Sequence, residues 1–146
     1  DDILRCNLLN AYHKLACYPE VPEALRNLKK LGIGTAILSN GAPKMLEAGV
    51  SNSHLEDVLD SVFSVDTIGV FKPAPQVYQL AADQLGSAPE EILFFSSNAW
   101  DVSGAAAFGF QVVWVNRFGQ APEILPGTPV LEIQTLDAVL QYLPID

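Results

Sequence analysis

Three polar clusters in the sequence carry side chains that could bind an anion or move a proton. They are Ser39-Asn40-Gly41, Lys72-Pro73 and the stretch from Ser96 to Asp101, and each lies at or near the end of a short apolar segment. Ligands of open α/β sheets bind beyond the carboxyl ends of the strands. If the apolar segments are strands, the three clusters predict a small-molecule site at that edge of a sheet.

Ser39 and Asn40 supply a hydroxyl and a carboxamide, which can donate hydrogen bonds to an anion without adding a negative charge. Their loop leads to Pro43, which is suited to begin a helix, and a helix N-terminus also favours an anion. An equally good interpretation is that Ser39 or Asn40 simply caps this helix. The cluster by itself leaves both interpretations open.

Lys72 lies between Val70-Phe71 and Pro73, and we expect it to hold a carboxylate near the edge of the sheet, with Pro73 beginning the next helix. Lysines are mostly exposed. The context favours a specific role here, because Arg117 is the only Lys or Arg that follows Lys72 in the sequence. Tyr78, one and a half helical turns later, is by itself better explained by core packing with a solvated hydroxyl.

The stretch from Ser96 to Asp101 begins where an apolar strand ends and continues into a helix. Asp101 falls in the first turn of that helix, where the helix dipole stabilises a carboxylate. A purely structural interpretation also fits, with Asn98 as the N-cap and Asp101 in place of a capping-box residue. Trp100 is harder to explain in this way, although packing against a neighbouring loop would suffice.

Short apolar strands alternate with amphipathic helices, which is typical of an α/β fold whose parallel sheet has helices on both faces. The predicted strands cover residues 33–38, 62–65, 92–95 and 111–115, and the predicted helices include 3–17, 21–31, one from Pro43, 77–85, one ending at Phe108, and one marked by Leu136, Val139, Leu140 and Leu143. Residues 53–56 and 87–90 match the capping-box pattern. We expect residues 119–130 to form an ordered surface loop.

The composition describes one domain of 146 residues in which 49% of the residues are hydrophobic, enough to form a core. A formal net charge of −9 opposes binding to nucleic acid or anionic lipid, so a small anionic substrate needs specific local donors. No apolar run approaches the roughly 18 residues of a membrane span. Cys6 and Cys17 are expected to be buried thiols, and the absence of a signal peptide predicts a cytoplasmic protein.

Taken together, residues 37–41, 70–73 and 94–101 resemble the haloacid dehalogenase superfamily, which has a Rossmann-like α/β core. The segment Ser-Ser-Asn-x-x-Asp from Ser96 to Asp101 more narrowly resembles the (S)-2-haloacid dehalogenases. Superfamily phosphatases usually have Gly-Asp-x-x-x-Asp here and hold Mg²⁺. Because a missing carboxylate weakens a Mg²⁺ site, the resemblance implies a metal-free dehalogenase without a cofactor rather than a phosphatase.

The resemblance also implies that parts of the family's protein are absent from this chain. Residues 1–18 resemble the end of a helical cap, and residues 19–146 resemble the α/β core. The family's first strand ends in Asp-x-Tyr-Gly-Thr with the nucleophilic aspartate, a motif that this sequence lacks. The chain, which starts without a methionine, is therefore expected to be an inactive piece of a longer protein.

In the mechanism that the resemblance implies, the nucleophilic aspartate displaces halide from C2 and forms an ester, which water then hydrolyses. The product of an (S)-2-haloalkanoic acid is the (R)-2-hydroxyalkanoic acid, because the centre inverts. The residues assigned to catalysis are Lys72, Asp101, Ser96 and Asn98, and those assigned to the substrate or halide are Ser39, Asn40, Tyr78 and Trp100. No metal-binding residue is assigned.

Two other functions stay open at this point, a superfamily phosphatase and a non-catalytic domain that uses an enzyme-like fold for binding. Members of the family are commonly dimers, so a homodimer is an expectation. The sequence does not indicate the preferred halogen or chain length.

Overall fold

The computed structural model describes residues 1–141, which divide into two compact units at the Thr67–Ile68 boundary. Among these residues, no helix combines the length and the apolar character that crossing a membrane requires. The predicted α/β class is confirmed, since every strand pairing in these residues is parallel and helices lie between most consecutive strands.

The first unit contains a two-stranded parallel sheet. Its elements are α1 (Asp2–Tyr12), α2 (Val21–Lys30), β1 (Ala36–Ser39), α3 (Pro43–Asn52), β2 (Ser61–Ser64) and a 3-10 helix (Val65–Thr67). The register pairs Ala36 with Ser61 and Ser39 with Ser64. The two strands therefore end side by side, each with a serine.

Helix α1 ends earlier than the apolar spacing of residues 3–17 predicts. Side chains at the end of α3 bind the backbone that follows α1. Asn52 Nδ2 donates to the carbonyls of His13 (2.9 Å) and Leu15 (3.3 Å). The Cys17 N–H donates to Ser53 Oγ over 2.9 Å. These bonds hold residues 13–17 outside the helix, in a turn followed by irregular backbone.

The second unit contains a three-stranded parallel sheet in the order β3-β4-β5. Its elements are α4 (Pro75–Leu85), a 3-10 helix (Pro89–Glu91), β3 (Leu93–Ser96), α5 (Ala99–Phe108), β4 (Gln111–Val115), β5 (Leu131–Ile133) and a 3-10 helix (Leu136–Gln141). Residues 112–115 of the central strand are all buried, which explains their unbroken apolar character.

The core of the second unit is largely aromatic where α4 and α5 cover the sheet. The ring of Tyr78 lies 5.8–6.1 Å from the rings of Phe94, Phe108 and Phe110. Gly86, with a φ of +64°, ends α4 in the left-handed conformation, as its position in the sequence predicts. Gly109 ends α5 in the predicted place.

Several predicted boundaries are wrong. Strand β5 was not predicted, because it has three residues and follows a proline-rich loop. Pro73 lies in a turn, and α4 begins at Pro75 instead. The last helix is a 3-10 helix at Leu136–Gln141, and Leu143, which was assigned to it, lies outside the described residues.

Neither predicted capping box forms as proposed. Ser53 follows the last residue of α3, and no helix starts after it. In the second segment the backbone N–H of Ala88 donates to Glu91 rather than Glu90, since the 3-10 turn starts one residue later than predicted. Cys6 is exposed and Cys17 half-buried, so both thiols are free as predicted but Cys6 is not buried.

Candidate functional site

A buried carboxylate, that of Asp101, is the centre of a hydrogen-bonded cluster in the second unit. Its Oδ2 accepts hydrogen bonds from Lys72 Nζ (3.0 Å) and Ser96 Oγ (2.9 Å). Its Oδ1 accepts one from the Tyr78 hydroxyl (2.9 Å). The structure thus brings together four residues that the sequence assigned to one site.

Each member of this cluster comes from a different local structure. Ser96 is the last residue of β3, and Asp101 is the third residue of α5, so the strand end and the next helix start bring them together. Lys72 lies in the turn before α4, and Tyr78 lies on α4 itself. The carboxyl end of a strand and two flanking helical segments therefore build the cluster, as expected for an α/β sheet.

The ion pair between Lys72 and Asp101 is almost completely removed from solvent, with side-chain exposures of 7% and 5%. Burial lowers the pKa of Lys72 below its ordinary value of 10.5, and the charge of Asp101 partly opposes that change. Burial also raises the pKa of Tyr78 well above its ordinary value, and the neighbouring Asp101 charge adds to this rise. Tyr78 therefore stays a neutral donor at neutral pH.

These contacts differ from those of an exposed surface lysine and of an aspartate that caps a helix. Lys72 is not an exposed lysine, and its ammonium also lies over the ring of Phe94, 4.7 Å from the centroid. Asp101 receives its side-chain hydrogen bonds from other side chains and caps no helix. Asn98 occupies the N-cap position of α5 but makes no side-chain cap bond there.

Asn98 and Trp100 lie on the loop and first turn that join Ser96 to Asp101. Asn98 is exposed and Trp100 is half-buried. The backbone N–H of Asn98 donates to Ser96 Oγ (3.2 Å), and the indole N–H of Trp114 donates to the Ser97 carbonyl (3.3 Å). The loop is thus held from its strand side while the Asn98 side chain remains accessible.

Ser39 and Asn40 lie in the first unit, at the carboxyl end of β1. The Ser39 hydroxyl accepts a hydrogen bond from the Gly41 N–H (3.0 Å), and Ser64 Oγ donates to the Gly41 carbonyl (2.7 Å). Ala42 takes the N-cap position of α3 without a side-chain bond. The alternative that Ser39 or Asn40 caps this helix is therefore not what the structure shows.

An apolar cavity of about 210 Å³ also opens in the first unit, among Leu15, Ile37, Leu46 and Val50. Cys17 and Ser53 are its polar lining residues, and Ser53 Oγ already accepts the Cys17 N–H. No cationic side chain lines it. A small carboxylate would find no counter-charge there, so we do not assign the substrate to this cavity.

Three residues that contact the site were missed by the sequence. Phe94 lies under Lys72, Trp114 binds the Ser97 carbonyl, and Ser64 binds the Gly41 carbonyl. Phe94 could have been found, because it lies two residues before Ser96 on β3 and alternate residues share a face of a strand. The contacts of Trp114 and Ser64 depend on how neighbouring strands are aligned, which a single sequence does not reveal.

Acidic and metal-binding side chains do not gather elsewhere in residues 1–141, where no group of three or more His, Cys, Asp or Glu is placed to hold a metal ion. At the site itself, three of the roughly four acceptor positions of a carboxylate are filled on Asp101 by Lys72, Ser96 and Tyr78. The donor set around Asp101 is that of a hydrogen-bonded ion pair.

Comparison with known proteins shows which sequences and structures this chain resembles. An (S)-2-haloacid dehalogenase of Pseudomonas sp. (strain YL) is 47% identical over 137 residues, which are 94% of this chain and 59% of the relative. The crystal structure of a dehalogenase with an intermediate complex has a TM-score of 0.93 and 41% identity, covering 99% of this chain and 64% of that one. The L-2-haloacid dehalogenase of Xanthobacter autotrophicus with chloropropionic acid covalently bound has a TM-score of 0.89 and 35% identity, covering 97% and 66%.

The chain thus spans less than two thirds of the length of each of these relatives. A family model described as haloacid dehalogenase-like hydrolase matches residues 4–109, which include Lys72, Ser96 and Asp101. The chain belongs to the family of haloacid dehalogenase-like hydrolases.

Proposed function

We propose that the whole protein hydrolyses the carbon–halogen bond of short (S)-2-haloalkanoic acids and releases (R)-2-hydroxyalkanoic acids. The observation that carries this proposal is the buried Asp101 carboxylate bound by Lys72, Ser96 and Tyr78. Relatives of the same family that are named for this reaction support it.

In this proposal Asp101 orients the water that hydrolyses an ester intermediate, or accepts its proton. Its Oδ2 is filled by Lys72 and Ser96, whereas Oδ1 receives one hydrogen bond and keeps a second acceptor position. That position is suited to a water O–H. The buried hydroxyl of Tyr78 acts through Asp101, since its side chain has no exposed surface with which to touch a substrate.

The ester forms on a nucleophilic aspartate that the 146 residues do not supply in the family's motif. This aspartate attacks C2 from the side opposite the halogen, so the halide leaves with the bonding electron pair and the centre inverts. A relative with chloropropionic acid covalently bound supports a covalent intermediate. In this arrangement Lys72 holds two carboxylates in place, that of the nucleophile and that of Asp101.

The substrate contacts complete the proposal. Ser39 donates to the carboxylate of the substrate, and Asn40 helps to receive the departing halide. Asn98 and Trp100 line the pocket for the rest of the acid. Side chains of this kind supply hydrogen bonds without negative charge, which an acidic chain of net charge −9 needs around an anionic substrate.

We further propose that the reaction needs no metal ion. Lys72 already neutralises Asp101 within the protein, and Ser97 and Asn98 replace the acidic residue that phosphatases of the superfamily use. A halide leaving from carbon needs no Mg²⁺, in contrast to a phosphoryl group in transfer. The boundary between cap and core at residues 18 and 19, the cytoplasmic location and a homodimer stay predictions.

The test is halide release from (S)-2-chloropropionate by the whole protein, with and without a chelator. We expect release in both conditions, an (R)-lactate product and no release from the (R)-acid. Hydrolysis of a phosphate monoester that depends on Mg²⁺, without halide release, would establish the phosphatase alternative instead. An Asp57→Asn variant, which changes an exposed carboxylate, is the matched control for Asp101→Asn.

A further inference from the structure

The ammonium of Lys72 has an aromatic neighbour as well as an acidic one. Nζ lies 4.7 Å from the centroid of the Phe94 ring, within the distance at which the ring face attracts a cation. Because the Lys72 side chain is only 7% exposed, water does not screen this contact strongly. The contact is therefore at the stronger end of the range for such pairs.

The strand places Phe94 on the side of the sheet where the cluster lies. Phe94 and Ser96 are two residues apart on β3 and share one face of the strand. Ser96 binds Asp101 from this face, and the ring centroids of Tyr78 and Phe94 are 6.1 Å apart at an interplanar angle of 83°. Phe94 thus contacts both the lysine and the tyrosine that bind Asp101.

We propose that Phe94 is a positioning residue for hydrolysis, which acts by holding the charged Lys72 ammonium against Asp101. This proposal rests on the proposed function. The negative face of the ring stabilises the cation where burial disfavours it. A lysine held in this way stays charged and directed at Asp101 while the ester is hydrolysed.

Other rings in the same core make a matched control available. Phe110 is buried and lies 5.8 Å from Tyr78 and 5.9 Å from Phe94, so its loss disturbs the same packing. Lys72 Nζ lies over the Phe94 ring. Phe110→Leu should weaken the core without removing the aromatic face beneath Lys72.

The direct measurement is the titration of Lys72 by NMR in protein labelled with ¹³C at lysine Cε, with Lys72→Arg used to assign the signal. Asp101 on α5 binds the ammonium, Tyr78 on α4 binds Asp101, and both titratable groups are unchanged in the variants. We expect Phe94→Leu to lower the midpoint by about one pH unit, the shift typical of a lost cation–π contact. Phe110→Leu should leave it within about 0.3 units, and Phe94→Tyr should restore it.

A graded replacement keeps the test decisive if Phe94→Leu does not fold. Fluorinated phenylalanines at position 94 keep the shape of the ring but weaken its negative face, so the Lys72 midpoint should fall with each added fluorine. A midpoint that does not respond to fluorine, or that falls equally in Phe110→Leu, would overturn the proposal.

Halide assays separate this proposal from the proposed function, because the titration needs no substrate. In the whole protein, Phe94→Leu should lower kcat by roughly tenfold with KM nearly unchanged, since the residue acts through Lys72. Normal turnover at every pH in Phe94→Leu would refute its role in hydrolysis. If Phe94→Leu lowers the Lys72 midpoint but the wild-type protein releases no halide, the proposed function is contradicted and the contact between Phe94 and Lys72 is retained.

Discussion

Asp101 receives three hydrogen bonds from side chains that differ in charge and in rigidity. Lys72 brings a full positive charge, whereas Tyr78 and Ser96 bring neutral hydroxyls. The carboxylate is almost fully buried, so each donor offsets part of the cost of removing it from water. The donors fix the direction of the carboxylate, and the remaining acceptor position sets where a water would bind.

Removing one of these donors should destabilise the protein and slow the reaction. In Tyr78→Phe the Oδ1 atom loses its 2.9 Å hydrogen bond, and we expect a loss of about 1–3 kcal/mol in the free energy of unfolding. Tyr12→Phe, which removes the hydroxyl of an exposed tyrosine on α1, should change stability by less than about 0.5 kcal/mol. Denaturant unfolding measures both, and equal effects in the two variants would show that the Tyr78 hydroxyl contributes little.

The lowered pKa of Lys72 predicts a pH dependence on the alkaline side. The folded protein releases this proton at a lower pH than the unfolded chain, whose lysine keeps its ordinary value of 10.5. The cost of burying the charged lysine is therefore present at neutral pH and is relieved as the pH rises through the window below 10.5. Over the same window Asp101 loses its charged partner.

Turnover of the whole protein should accordingly fall with a midpoint below pH 10.5. The measurement is the pH profile of kcat for halide release. In Lys72→Arg the residual activity should persist to higher pH, because a guanidinium keeps its proton. A profile that is flat up to pH 10.5, or a midpoint that Lys72→Arg does not move, would argue against a charged Lys72 in the reaction.

At the scale of elements, close packing of α5 sets the position of Tyr78. A Cβ atom at Gly104, in the middle of α5, would lie 2.7 Å from both Pro73 Cβ and the Tyr78 hydroxyl. Real contacts of this kind are not that short, so an atom must move. The helix therefore needs glycine here for close approach rather than for its backbone freedom.

Gly104→Ala should destabilise the protein, although alanine is normally the better helix residue by about 1 kcal/mol. Gly49→Ala in α3 is the matched control, because a Cβ there meets nothing within 4 Å and should stabilise the protein by up to about 1 kcal/mol. Thermal unfolding of the two variants gives the signs. Stabilisation by Gly104→Ala would contradict the described packing of α5 against Tyr78.

The elements show where a sequence is informative and where it is not. The boundaries of β4 and the ends of α4 and α5 at Gly86 and Gly109 were predicted, because apolar runs and helix-ending glycines are local signals. The early end of α1 was not predictable, since Asn52 and Ser53, far along the chain, bind the backbone that follows it. A pattern within residues 3–17 contains no information about those partners.

Some residues of the site could likewise be predicted from the sequence, and others could not. Lys72, Ser96, Tyr78 and Asp101 were assigned together through the resemblance to a family, and the structure brings these four into one cluster. The role of Phe94 was not predicted, because its contact with Lys72 joins β3 to the turn before α4. Such contacts depend on how elements pack, which periodicity along one chain does not specify.

At the scale of the whole molecule, the acidic character of the chain limits what its site can bind. A net charge of −9 repels anions in general, so in the proposed function a haloacid is selected by local donors rather than drawn in by the overall field. The buried cation of Lys72 is already paired with Asp101. In the proposed function, neutral donors therefore bind the substrate, and Lys72 serves the chemistry of the ester.

The central claim is that Asp101 promotes hydrolysis of a covalent ester, and single-turnover analysis of Asp101→Asn in the whole protein tests it most directly. Halide release and intact-protein mass would be followed together after mixing with (S)-2-chloropropionate. We predict a burst of about one halide per protein, a stable mass increase equal to the added acyl group, and no further turnover. Continued turnover at the wild-type rate, or complete loss of the burst with no covalent adduct while Asp57→Asn remains active, would contradict the claim.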